Sequence, residues 1–207
     1  MGVDRSRSTP TGVVSSFFEA TLIGAIIPLR KKTFLFALMF VGITGLGFAL
    51  TRPANAIDGL IPGPQPGSQA PDFTLQTIDG AFVTLSDLRG RPVLVNIWAS
   101  WCTPCKYEMP TIQKVYEEFK DRGLIVLAVN LTKKDDLTSV LSFIEEYDLT
   151  LTFLLDLDGQ VEAAYQLRGL PTSFFIDRDG IVQSVVIGGP MPEQVVRAGV
   201  EQIIEEE

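Results

Sequence analysis

The reactive groups of this sequence converge on Cys102 and Cys105, the only cysteines in its 207 residues, with Thr103 and Pro104 between them. Two thiols at this spacing close a small ring on oxidation and open it on reduction, so the pair can carry two electrons reversibly. A strand-like apolar run, Val93-Leu94-Val95-Asn96-Ile97-Trp98, leads into them. A helical pattern leads out, with Met109, Ile112, Val115, Tyr116 and Phe119 at three- and four-residue spacings. Both sulfurs therefore sit where a strand ends and a helix begins. Free N–H groups and the helix dipole favour an anion there, so the first thiol ionises below its free value of about 8.5.

Other uses of a C-x-x-C pair fit less well. Half a zinc site would need further ligands, and the chain has no other cysteine and no histidine. Heme attachment would need histidine after the second cysteine, where Lys106 stands. A purely structural bridge closing so short a loop would constrain the unfolded chain little. Redox chemistry without metal or cofactor is the reading that remains.

The elements around the pair indicate how it is held. Phe73–Gln76 and Ala81–Leu85 flank an Asp79-Gly80 turn as a hairpin, and Ser86–Leu88 forms a short helical turn ended by Gly90. The helix after the cysteines runs to about Asp121 and contains Pro110, which removes a backbone donor and is expected to kink it. Leu124–Val129 reads as a strand buried on both faces. A helix with Leu137, Val140, Leu141 and Ile144 on its apolar face follows, then a strand over 151–155 and a short helix over 161–168. Ser173–Ile176 and Ile181–Ile187 pair about Asp179-Gly180, and Pro192 opens a last helix with Val195, Val196, Val200 and Ile203 as its apolar face. The order ββ–β–α–β–α–β–α–ββ–α predicts an α/β sandwich, a mixed sheet with a parallel core and helices on both faces.

Charge and hydropathy divide the chain. Residues 1–56 carry a net charge of +4 and the remainder −12. So acidic a body repels phosphate backbones, which argues against nucleic-acid binding. Thr33–Thr51 is uncharged, apolar and long enough to cross a bilayer, and Arg30-Lys31-Lys32 precedes it. The expected layout is a cytoplasmic tail (1–32), a transmembrane anchor (33–51), a Pro/Gly-rich linker (52–66) and a globular domain (67–207) outside the cytoplasm. Ala54-Asn55-Ala56 also fits a signal-peptidase site, the alternative to a retained anchor.

Three separated motifs carry a family resemblance over about residues 67–205. Trp101-Cys102-Thr103-Pro104-Cys105 resembles the W-C-x-P-C motif of the thioredoxin superfamily. Ala70-Pro71-Asp72-Phe73-Thr74-Leu75 with Leu85-Ser86-Asp87-Leu88-Arg89-Gly90 is similar to the TlpA/ResA branch of membrane-anchored bacterial thiol-disulfide oxidoreductases. Gly169-Leu170-Pro171-Thr172 resembles the superfamily's cis-proline loop, and residues 136–155 resemble the helix–strand insertion of that branch. The resemblance implies a thioredoxin-like three-layer α/β/α fold. It also implies the task of reducing cysteine pairs such as those of apocytochrome c. A reductant outside the cytoplasm needs electrons from across the membrane, and a thiol-relaying membrane partner is the expected source.

Roles follow from the exchange chemistry. Cys102, nearer the helix N-terminus, attacks and forms the mixed disulfide, and Cys105 resolves it. Asn96 stands where thioredoxins place a buried aspartate, and an amide cannot take up the proton of Cys105. Glu108, one helical turn beyond Cys105, matches a functional glutamate of the TlpA/ResA branch and is the expected proton relay. Pro104 stiffens the turn, Trp101 forms a lip and Trp98 part of the core. Leu170 and Pro171 offer backbone to a substrate segment, provided that their peptide bond is cis.

Two other functions on the same fold fit the residues poorly. A peroxidase resembling the peroxiredoxins would show P-x-x-x-T-x-x-C, but Val95 and Ala99 occupy the Pro and Thr positions before Cys102. Metal chaperones of this fold resemble C-x-x-x-C with a distant histidine, and neither feature occurs.

Overall fold

The apolar runs become seven strands in a computed structural model that describes residues 62–205. They are β1 (Thr74–Thr77), β2 (Phe82–Thr84), β3 (Val93–Trp98), β4 (Ile125–Asn130), β5 (Thr152–Leu155), β6 (Thr172–Ile176) and β7 (Val182–Ile187). The helices are α1 (Thr103–Phe119), α2 (Leu137–Glu146), α3 (Gln160–Ala164) and α4 (Glu193–Glu205), joined by short 3-10 turns. The expected tail and transmembrane segment, and the linker up to residue 61, lie outside the described residues. Among the described residues, no helix is long and apolar enough to cross a membrane.

One mixed sheet runs in the order β2-β1-β5-β4-β3-β6-β7. The centre, β5-β4-β3, is parallel. On one side β6 and β7 add antiparallel to β3, and on the other β1 pairs antiparallel with β5 and brings β2 with it. Strand periodicity sorts β3 between two cores. Leu94 and Trp98 face the core built with α1, α2 and α4, whereas Val93, Val95 and Ile97 face the core built with Phe73, Leu85, Val161 and Tyr165. Trp98 is fully buried and packs its indole against Phe143 of α2 and Phe153 of β5. It is core, as expected.

Three element readings are corrected. The buried face of α2 is Val140 and Phe143, with Ile144 and Tyr147 packed against the core, while Leu137 and Leu141 are exposed. The helix over 161–168 is only Gln160–Ala164, because Gln166 takes a left-handed conformation at φ 47° that a helix cannot continue through. In α4, Val195 is exposed, and Gly199 and Ile204 join Val196, Val200 and Ile203 in the buried face. Gly199 is there for closeness, since a Cβ on it would lie 2.5 Å from the buried ring of Phe175. Pro110 lies inside α1 without interrupting it.

Residues 62–69 lie against the edge of the domain. Pro62 bridges Gln69, the Gly67 N–H donates to the Val182 carbonyl, and the Val182 N–H donates to the Ser68 carbonyl. The start of β7, otherwise an open edge, is covered by this segment.

Candidate active site

Cys102 caps the N-terminus of α1 in extended backbone geometry (φ −81°, ψ 103°), immediately after β3 and a three-residue turn. Its sulfur accepts the Cys105 N–H at 3.3 Å, a first-turn donor that the helix itself leaves without a partner. Pro104 occupies that same turn, where the N–H it lacks would have been unpaired. The two sulfurs are joined as a disulfide, with Cα atoms 5.3 Å apart. Cys102 is 5 % exposed and Cys105 1 %, and of the two residues the one at the helix N-terminus lines the cleft beside it.

Glu108 is not a surface residue. It is 1 % exposed, on the face of α1 that also buries Cys105 and Met109. The Asn96 amide donates to its Oε1 at 2.9 Å, and the Met191 backbone N–H donates to its Oε2 at 2.8 Å. Asn96 donates its second amide hydrogen to Ser173 Oγ at 2.8 Å. Burial disfavours the charged form and raises the carboxyl above its ordinary range, against the opposing pull of the Met191 and Asn96 hydrogen bonds. An easily protonated carboxyl one turn from Cys105 can take up and return a proton.

Asn96 at the aspartate position thus acquires a structural reading that the sequence did not give it, as the donor that orients Glu108. Ser173 and Met191 belong to the same network and were not anticipated. A signal for the second did exist in Gly188-Gly189-Pro190, a turn-forming stretch just before it. A Cβ on Gly189 would lie 2.6 Å from Glu108 Oε2 and 2.6 Å from Pro171 Cγ. Only glycine lets this loop pass so close to both.

The Leu170–Pro171 peptide bond is cis. Leu170 lines a cleft of about 460 Å³ together with Cys102, Trp101, Pro104, Leu131 and Leu167. Trp101 is 58 % exposed, and its indole N–H donates to the Lys134 carbonyl at 3.0 Å, which fixes the ring as a wall of the cleft. At the same cleft the Lys134 ammonium pairs with Glu162, and Arg168 contributes a second cation. The structure therefore brings Cys102, Trp101, Pro104 and Leu170 to one apolar cleft, with Cys105 and Glu108 buried in the core and Pro171 beside Glu108. Among the described residues, no group of three or more His, Cys, Asp or Glu side chains is placed to hold a metal.

The sequence model of the AhpC/TSA family matches residues 66–185. The thioredoxin-like protein YneN of Bacillus subtilis is 38% identical over 152 residues, 73% of this chain and 85% of that protein. The thiol-disulfide oxidoreductase ResA of the same organism is 36% identical over 163 residues, 77% of this chain and 88% of that protein. Among solved structures, the thioredoxin domain of a thiol-disulfide oxidoreductase from Bacteroides vulgatus superposes with a TM-score of 0.61 at 27% identity, covering 68% of this chain and 99% of that domain. In this chain the disulfide-linked pair stands at a helix N-terminus of that same fold. The chain belongs to the AhpC/TSA family, has a thioredoxin-like fold and is a thiol-disulfide oxidoreductase.

Proposed function

We propose that the chain is a membrane-tethered reductase of protein disulfides, acting outside the cytoplasm on targets such as the cysteine pairs of apocytochrome c. One observation carries this reading: the Cys102–Cys105 pair opens on an apolar cleft while a buried carboxyl, Glu108, stands behind it. In the reduced enzyme the Cys102 thiolate attacks one sulfur of a substrate disulfide, forming a mixed disulfide and releasing the other substrate sulfur, which takes a proton. Cys105, its proton passed to Glu108, then attacks Cys102 Sγ. The substrate leaves as a dithiol and the enzyme disulfide re-forms, two electrons having moved to the substrate. Trp101, Pro104 and Leu170 bound the cleft that receives the substrate segment, and Pro171 holds the Leu170 backbone facing it.

The reducing direction is supported by the surroundings of the thiols. Oxidants of this chemistry stabilise their reduced form through a low thiol pKa. Here the residues between the cysteines are Thr103 and Pro104, the chain has no histidine, and Glu108 opposes a further negative charge. A reduction potential near about −270 mV, as in thioredoxin, is expected for the purified protein, and one near about −120 mV would overturn the reading.

The tether is inferred from the uncharged run at 33–51 behind Arg30-Lys31-Lys32, which places residues 1–32 in the cytoplasm and the catalytic domain across the membrane. A reductase so placed draws its electrons from a thiol-relaying membrane partner. Cell fractionation with external protease is expected to leave the chain in the membrane pellet with residues 67–207 digestible from outside. A soluble mature form beginning at Ile57 would show cleavage after Ala56 instead.

A further inference from the structure

The turn that presents Cys102 is tied down by a single carboxylate that belongs to neither the cysteine pair nor its proton relay. Asp135, in the loop between β4 and α2, accepts the Ser100 backbone N–H at 2.6 Å and the Ser100 hydroxyl at 2.5 Å. It also accepts the Asn130 side-chain amide at 2.8 Å and the Asp136 N–H at 2.9 Å. The neighbouring Lys134 carbonyl receives the Trp101 indole. Ser100 and Trp101 are the two residues just before Cys102, so the whole approach to the attacking sulfur is fastened to this loop. Asn130, fully buried at the end of β4, is itself fixed by the Thr132 hydroxyl, which donates to its Oδ1 at 2.9 Å.

The chemistry of the four partners is uniform, since every one of them donates. A carboxylate is the side chain that accepts from all four, whereas the isosteric amide would turn its own N–H groups toward donors. Partial burial works against the charge of Asp135, but the hydrogen bonds from Asn130 and Ser100 outweigh it and hold the carboxyl below its ordinary range. It is therefore ionised at neutral pH, and its hydrogen bonds are of the stronger, charge-assisted kind.

We propose that Asp135 is a positioning residue for disulfide exchange, fixing through Ser100 and Trp101 both the aim of the Cys102 sulfur and the wall of the substrate cleft. The role rests on Cys102 being the attacking sulfur. Displacement of a reacting atom by about 1 Å can cost on the order of a hundredfold in rate, so a loosened turn is felt in turnover before it is felt in folding. Asp136 provides an internal comparison. It is the same residue type one position along, yet its carboxylate hydrogen-bonds to the Ser139 N–H and hydroxyl at the start of α2 and not to the Cys102 turn.

Asp135→Asn, Asp136→Asn and Ser100→Ala in the full-length protein test this, with insulin as the disulfide substrate and Cys102 alkylation followed against pH. Asp135→Asn is expected to lower kcat at least about tenfold, and Ser100→Ala about threefold, with little change in KM. Asp135→Asn should also move the alkylation midpoint to lower pH, because a fixed negative charge beside the turn is gone. Asp136→Asn, which keeps an oxygen to cap α2, should leave both readouts in place. Unchanged kcat and alkylation profile in Asp135→Asn, or equal losses in the two aspartate variants, would overturn the proposal. Should Asp135→Asn fail to fold, Ser100→Ala decides, and a wild-type kcat there overturns it. Cys102→Ser in the same assay separates the premises. Residual turnover would refute Cys102 as the attacking sulfur, whereas an inert Cys102→Ser beside an unimpaired Asp135→Asn would refute the positioning role alone.

Discussion

Cys105→Ser is expected to stop the reaction halfway and accumulate a mixed disulfide between Cys102 and the substrate. The asymmetry follows from burial and helix position. Cys102 is the sulfur at the N-terminus of α1, lining the cleft, while Cys105 lies beneath it at 1 % exposure. A substrate disulfide can reach the first and not the second. Removing Cys105 leaves the attack intact and deletes the nucleophile that would displace the substrate, so the adduct persists. Removing Cys102 deletes the attack itself, and activity should fall to background. Incubation of each variant with a disulfide-bonded protein, followed by non-reducing electrophoresis and mass spectrometry, checks both outcomes. An adduct on the Cys102→Ser variant and none on Cys105→Ser would reverse the assignment.

Glu108→Gln should slow resolution of the mixed disulfide by about a hundredfold, the lower end of what a positioned acid–base group contributes. The amide keeps one acceptor oxygen for the Asn96 or the Met191 donor, turns its own N–H groups toward the other, and cannot shuttle a proton. The variant's pH–rate profile should lack the inflection that Glu108 gives the wild type above the ordinary glutamate value of 4.5. Stability supplies a second readout with a definite sign. Because the folded-state pKa is raised, the contribution of the protonated form is fully present below the unfolded value, and it is lost as pH rises through the folded value. The wild type should therefore lose urea resistance across that window, while Glu108→Gln should not. A wild-type rate profile in the variant, with the same fall in urea midpoint, would return Glu108 to a packing role.

These two predictions differ in how much of them the primary structure already contained. The cysteine pair and its strand–helix junction were legible because each depends on neighbours within a few residues: an apolar strand, a turn, a helix whose first N–H groups lack partners. Glu108 was legible as a residue on the face of Cys105, since helical periodicity places a side chain one turn along. Its complete burial and its two donors were not.

Local pattern determined the element order, the parallel core strands, the two hairpins and the strand–helix junction that carries Cys102, because strand and helix periods are properties of adjacent residues. Tertiary structure alone decided which apolar positions meet the core. Leu137 and Leu141 fit the helical stripe of α2 as well as Phe143 does, yet Phe143 is the one that reaches Trp98. It also decided that the first hairpin adds beside β5, a pairing between segments about 80 residues apart that no local pattern encodes. The partners of Glu108 come from β3 and from the loop before α4, 83 residues away, and the anchor of the Cys102 turn comes from Asp135, 35 residues from Ser100. The residue types that can react are written in the sequence. Which buried donors and acceptors hold them depends on chain closure, since a carboxylate buried in the core or against a turn persists only where the fold delivers its hydrogen bonds.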